Sequence, residues 1–363
     1  MRVLILSAST NGGHNSTAAA LAEQFQKMSV ECEIFDSLTL HPEKMSSFVE
    51  WGHSYVYRGR IPRLIRRSYR YEERHSPKKI YDFCARSAEA LQEKLLSESF
   101  DAVISVHVFP CLMMTEVRRA YGNTIPSYFV ATDYACSPGV NEMQADGYFI
   151  PHRMLFGDFV RAMIPANKLY ATGIPVMSDF YRPVEKAEAR RLLGLPEEER
   201  IVLLSSGSRG RGHLEKHALE LSNRLPDDVR LIVLCGKNRA LYDDLDRFES
   251  PRINIIGFTD HIPLYMSAAD LYLTKPGGLM TTEAIAKKLP MVFVDAVPGC
   301  ETHNYDFLTR CGVAEGGKSW KLAIEQVLRL LANPKAIEEI REKMVNFLPS
   351  SAAEQICRWV IRN

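Results

Sequence analysis

The stretch STNGGHNSTAAAL, residues 9–21, sets two glycines and a histidine between an apolar run, VLIL (3–6), and a segment of helical character. An imidazole near its ordinary pKa of about 6.5 can take a proton at neutral pH. Gly12 and Gly13 leave room for two reacting groups to approach each other beside His14. A histidine here would also serve to cap or pack the first helix, which is the plainer reading of an isolated imidazole. Asp133, in ATDY (131–134), is a second candidate, able to orient an acceptor or share the proton transfer. His107 and His152 end predicted strands and read as structural.

Three further stretches join an apolar run to a helix through glycines. In SSGSRGRGHLEKHALEL (205–221), Gly207, Gly210 and Gly212 free the backbone, while Ser208, Arg209 and Arg211 add donors. A helix that starts there presents unpaired N–H groups and a positive dipole end, a cradle for a diphosphate. The spacing is neither that of a P-loop nor GxGxxG. A flexible turn with solvated arginines has the same composition. In TKPGGLMTTEAIAKKLP (274–290), Gly277, Gly278 and Leu279 open a helix, and Glu283 falls one turn in, where a carboxylate could accept both hydroxyls of a ribose. The dipole favours a first-turn glutamate equally well. In DAVPGCETHNYDFL (295–308), Glu301, His303 and Asn304 follow another apolar run.

These loops need strands that all end at one edge. Short continuous apolar runs at 3–6, 102–106, 127–132 and 147–150, and again at 200–206, 229–236, 253–258, 270–275 and 291–297, fit strands buried on both faces of parallel sheets. Helical stretches separate them. The pattern predicts two doubly wound α/β domains, with ligands at the carboxyl ends of the strands. Gly173, Pro175 and Pro183 interrupt the periodicity, which places a linker at about 172–183, a first domain at 1–172 and a second at 183–349. The last helix, 350–363, is expected to cross back and complete the first domain.

Length and composition agree with two soluble cores: 363 residues, 46% hydrophobic and 25% charged. A net charge of +1 argues against a global nucleic-acid footprint, so no nucleic-acid partner is expected. Eight cysteines without a CxxC pair read as reduced thiols in a cytoplasmic protein. No run reaches the roughly 18 apolar residues of a membrane span.

Taken together, STNGGHNSTAAAL, DAVISVHVFP, VATDY, ATGIPV, the loop at 205–212 and the segment from INIIGF (253–258) to CETHN (300–304) resemble the GT-B glycosyltransferases that include monogalactosyldiacylglycerol synthases, processive diacylglycerol glucosyltransferases and the peptidoglycan N-acetylglucosaminyltransferase. The resemblance runs through nearly the whole chain in order. It implies two Rossmann-like domains facing across a cleft, a UDP-hexose donor held by the second, and inversion by direct displacement with no cofactor and no essential metal. It places Phe258 against uracil, Glu283 on the ribose, Gly277, Gly278 and Leu279 beside the phosphates, and Glu301 with Asn304 on the sugar. The chain departs from the family pattern at Met280, where a threonine is usual and whose role Thr281 could take. It departs again at Cys300, in place of a glutamine, and in ACSPGVNEMQAD (135–146), where lipid-acceptor members tend to carry histidine and tryptophan.

Between Arg58 and Lys79 lie nine lysines or arginines against Glu72 and Glu73, interleaved with tyrosine, isoleucine and leucine. Such a segment attracts an anionic membrane surface while its apolar side chains enter the interface. A solvated basic helix or an RNA contact are the other readings. The expectation is docking through Arg63, Arg66, Arg67 and Arg70 on the inner face of the cell membrane, with transfer of glucose or galactose to a lipid acceptor such as diacylglycerol. A lipid-linked sugar as acceptor, a UDP-sugar sensor without catalysis and a hydrolysing epimerase are the alternatives.

Overall fold

The computed structural model describes residues 1–9, 12–40, 78–207, 214–247, 250, 252–294, 296–317, 319–348 and 350–363. The chain divides into two compact units. One comprises Met1–Ser178 with Pro298–Cys300 and Pro349–Asn363, the other Asp179–Val297 with Glu301–Leu348.

The first unit is built on six parallel strands in the order β2-β1-β3-β4-β5-β6: β1 (Arg2–Ser7), β2 (Glu31–Asp36), β3 (Ala102–Ser105), β4 (Ser127–Val130), β5 (Gly147–Ile150) and β6 (Leu169–Ala171). The second has the order β12-β11-β10-β7-β8-β9: β7 (Arg200–Ser205), β8 (Val229–Leu234), β9 (Ile253–Ile256), β10 (Leu271–Thr274), β11 (Met291–Phe293) and β12 (Ala314–Gly316). Both sheets are doubly wound, as the apolar runs predict. Three strands escape the sequence reading: β2, β6 and β12 lie at sheet edges, are partly exposed, and lack a continuous apolar run.

The strand order reverses direction between β1 and β3 in the first unit and between β7 and β10 in the second, and this is where doubly wound sheets bind ligands. The amino ends of both strand pairs are clipped in the same way. Asp101, just before β3, accepts from the Arg2 N–H at 2.7 Å, and Asp270, just before β10, accepts from the Ile201 N–H at 2.7 Å. Arg190, almost fully buried, donates to Asp270 at 2.9 Å and so neutralises it. These clips fix the register of the strands whose other ends carry the site.

The helix Gly12–Lys27 (α1) follows β1, and the last helix, Ala352–Arg362, packs on it. Ile356, Cys357 and Val360 are fully buried, in one cluster with Val3, Ile5, Leu21, Phe25 and Phe149. Trp359 sets its ring edge against Tyr128 and Phe149 at 5.2 and 5.5 Å between centroids. Each enclosed aliphatic side chain here contributes about 1.5–3 kcal/mol, which holds α1 firmly against the sheet.

Candidate active site

In the first unit, α1 begins at Gly12, so both glycines lie within its first turn instead of in a turn ahead of it. Ser7, the last residue of β1, and Ser9 beyond it bond the Asn15 side chain at 2.5 and 3.2 Å, and the Ser9 N–H reaches Asp36 at 3.3 Å. His14 is thereby aimed at the carboxyl ends of β3 and β4. Its Nδ1 lies 3.2 Å from the Val106 carbonyl and 3.1 Å from the Thr132 hydroxyl. A carbonyl only accepts, so the proton sits on Nδ1, and Nε2 is left with a free lone pair. Burial lowers the His14 pKa below 6.5, partly offset by the Asp133 carboxylate and by the Val106 bond. The ring is therefore a neutral base at pH 7.

His107 caps the helix Val108–Tyr121, its Nδ1 accepting from the Phe109 N–H at 3.1 Å, and its ring meets the His14 ring edge-on at 4.6 Å. His152 caps the next short helical turn through the Met154 N–H at 3.2 Å. Both act as caps, the structural use read from their positions at strand ends.

In the second unit, β7 runs into Gly207, whose φ of +86° requires glycine. β10 runs into Lys275, Pro276 and Gly277, and Gly277 caps the helix Gly278–Ala286. The unpaired N–H groups of that helix open beside the end of β7. Met280 points its sulfur at three hydroxyls, those of Tyr272 at 3.5 Å, Ser205 at 3.8 Å and Thr274 at 4.0 Å. Thr281 does not present its hydroxyl to a ligand: fully buried, it bonds back to the Gly277 and Gly278 carbonyls at 2.9 and 3.0 Å. Asn304 is also fully buried and donates to the Pro276 carbonyl at 2.9 Å, which ties the glycine turn to the helix Cys300–Arg310. Glu301 spends one oxygen on the Val297 N–H at 2.7 Å.

Glu283 has its carboxyl withdrawn from water, and this desolvation pushes its pKa up to about 8. At neutral pH it is largely protonated and can donate as well as accept. Phe258 stands exposed beyond β9, with the Lys237 ammonium 5.1 Å from its ring centroid. Ser208, Arg209, Gly210, Arg211 and the basic residues Arg63, Arg66, Arg67 and Arg70 lie outside the described residues.

Sequence reading passed over Thr132, the Val106 carbonyl and Lys237. All sit within three residues of a strand's carboxyl end, so the strand ends themselves were the available signal. Among the described residues no group of three or more histidine, cysteine or acidic side chains gathers as a metal site would require, and no helix is long and apolar enough to cross a membrane.

Solved structures share this architecture over the whole chain. The MurG of Acinetobacter baumannii matches with a TM-score of 0.65 and 16% identity, covering 100% of this chain and 99% of that one. The UDP-GlcNAc 2-epimerase of Neisseria meningitidis, bound to UDP-GlcNAc, matches at 0.61 and 13% over 100% of both chains. The fold is thus GT-B, a fold of transferases and epimerases alike. Family models decide between these. Residues 14–176 match the family described as Monogalactosyldiacylglycerol (MGDG) synthase, and residues 201–352 the Glycosyltransferase family 28 C-terminal domain. The chain is a GT-B glycosyltransferase. Its residues 14–176 resemble the MGDG synthase group of these enzymes. Its curated relatives include a processive diacylglycerol beta-glucosyltransferase of Staphylococcus saprophyticus, 27% identical over 355 residues, covering 94% of this chain and 88% of that protein.

Two expected outcomes follow from the second unit. Glu283 binds a proton in the folded chain that it releases in the unfolded chain between the ordinary carboxylate value of 4.5 and about 8. Its contribution to stability is therefore present at low pH and lost as pH rises through that window, and Glu283→Gln will flatten this fall in urea titrations across pH 5–8. Asn304→Ala leaves the Pro276 carbonyl unpaired in a buried place, so its urea unfolding will show a loss of about 1–3 kcal/mol.

Proposed function

We propose that this transferase moves a hexose from UDP-glucose or UDP-galactose to the free hydroxyl of diacylglycerol, with inversion at the anomeric carbon. The observation that carries the reading is the neutral His14 imidazole, its Nδ1 proton engaged by Val106 and its Nε2 open, at the strand-order reversal of the first unit. The relatives' names supply the substrate class, and their likeness extends over nearly the full chain.

In the reaction, the acceptor oxygen attacks the anomeric carbon as its proton passes to His14 Nε2. The bond from that carbon to the diphosphate breaks, and UDP leaves. Asp133 stabilises the imidazolium that forms, since its carboxylate already favours the charged ring. Gly12 and Gly13 keep the approach to His14 open. The second unit holds the donor: Phe258 lies against the base, Glu283 takes the ribose hydroxyls and Glu301 the sugar. Gly207, Ser208, Arg209, Gly210, Arg211, Gly277, Gly278 and Leu279 surround the diphosphate. Main-chain N–H groups and arginines meet its charge, so the scheme needs no metal and no further cofactor. Preorganised donors of this kind supply several kcal/mol as charge develops on the leaving group. Arg63, Arg66, Arg67 and Arg70 hold the protein on the anionic inner face of the membrane, where the lipid acceptor lies.

Labelled UDP-glucose or UDP-galactose with diacylglycerol vesicles will yield a glycolipid, and absence of product with both donors overturns the acceptor assignment. Product with a lipid-linked sugar alone would move the acceptor to that class, and donor binding without any product would make the chain a sensor. His14→Ala will lower kcat by about 10²–10⁴-fold, and the acid limb of kcat/KM in the unsubstituted enzyme will fall below pH 6.5, in line with the lowered imidazole pKa. Replacing Arg63, Arg66, Arg67 and Arg70 by serine removes about 1 kcal/mol of attraction per arginine, so sedimentation with anionic vesicles will be largely lost. Retained sedimentation would place docking elsewhere.

A further inference from the structure

Phe258 is 61% exposed directly beyond β9, at the edge of the second unit where the glycine turns also lie. The Lys237 ammonium rests over its ring. The backbone fixes this pairing. The Cys235 N–H donates to the Ile256 carbonyl at 2.8 Å, which extends the β8–β9 ladder past the strands. The Asn238 N–H donates to the Cys235 carbonyl at 3.2 Å across a turn in which Gly236 has φ +57°. Asn238 then caps the helix Arg239–Asp246 through the Leu241 N–H at 3.1 Å. Tyr242 of that helix packs beside Gly257, 3.6 Å from where a Cβ would stand. Lys237 is thus held one strand away from Phe258, and among the described residues no carboxylate pairs with it.

We propose that Lys237 reads the edge of the base that stacks on Phe258. The base stacks on the ring face that the ammonium now covers, and the ammonium moves to the base edge to donate to the 4-carbonyl oxygen. The inference rests on the nucleotide-sugar reading above. A lysine has three donors and no acceptor, so it favours a pyrimidine with a 4-oxo group and opposes cytosine, whose 4-amino group is itself a donor. The exchange is favourable in kind, because an exposed cation–π contact is weak, whereas base stacking and a charge-assisted hydrogen bond are stronger. Spacing agrees as well: β9 is two strands from β7, about 10 Å at the usual separation, and one nucleoside diphosphate spans the distance from the glycine turns to Phe258.

Calorimetric titration of the full chain with UDP and with CDP tests this. The unsubstituted chain is expected to bind UDP at least about tenfold more tightly than CDP, and Lys237→Met to weaken UDP about tenfold while CDP changes by less than about twofold. Phe258→Leu, which removes the stacking platform, is expected to weaken both alike. Equal weakening of UDP and CDP by Lys237→Met would make the lysine a diphosphate contact and overturn the base assignment, as would an unchanged ratio. Failure of the unsubstituted chain to bind UDP overturns the nucleotide reading itself, and this inference with it. Lys237 is exposed, so unchanged thermal unfolding of Lys237→Met will show that the comparison is between folded proteins.

Discussion

A parallel sheet obliges every strand to finish at the same edge, and the chemistry of this protein follows from that constraint. Each crossover must carry the chain back before the next strand starts, so the loops that leave the carboxyl ends collect in one place. Only where the strand order reverses do neighbouring loops turn apart and leave a gap. In both units that gap is kept in register from the opposite end of the strands, by Asp101 on the Arg2 N–H and by Asp270 on the Ile201 N–H. A carboxylate at the base of the sheet thus aligns the groups at its top. The last helix adds a second constraint in the first unit, since Ile356, Cys357 and Val360 pin the helix that carries His14.

Burial acts on the two titratable groups of interest in opposite directions. Removal from water disfavours whichever form is charged, so it lowers the pKa of the His14 imidazole and raises that of the Glu283 carboxyl. Both groups are therefore neutral near pH 7. For His14, the Val106 carbonyl selects the tautomer, so a neutral ring is also a correctly oriented base. For Glu283, neutrality means that this carboxyl adds no fixed negative charge that would repel an incoming diphosphate. In the proposed reaction, the same physical effect prepares proton acceptance in one unit and admits an anion in the other.

The central strands of both sheets were legible because enclosure on two faces demands unbroken apolar runs. The edge strands β2, β6 and β12 were not, since one flank without a neighbour relaxes that demand. At the site, His14 could be read from its glycines and the motif order, but its partners could not, because Val106 contributes a carbonyl and Thr132 is distant in sequence. Thr281 and Asn304 show a different limit. Both are polar residues at the expected positions, yet the Thr281 hydroxyl and an Asn304 amide N–H bond to carbonyls of the glycine turn itself. A short polar side chain beside a helix start has main-chain partners close at hand, and sequence does not reveal which it takes.

The fold alone does not decide the chemistry, as transferases and epimerases share it. What this chain adds is local. Thr281 and Thr282 both turn their hydroxyls onto carbonyls of the helix start, and Met280 offers sulfur to Ser205, Tyr272 and Thr274. The first turn of that helix accordingly presents N–H groups without a side-chain hydroxyl among them. Main-chain donors fixed by a helix need no reorganisation as charge builds on a leaving diphosphate, whereas a rotating hydroxyl would. In the proposed reaction, then, the thioether does not leave a gap in phosphate recognition. It closes off the hydroxyl cluster beneath the turn and leaves the helix end as the feature that the diphosphate meets.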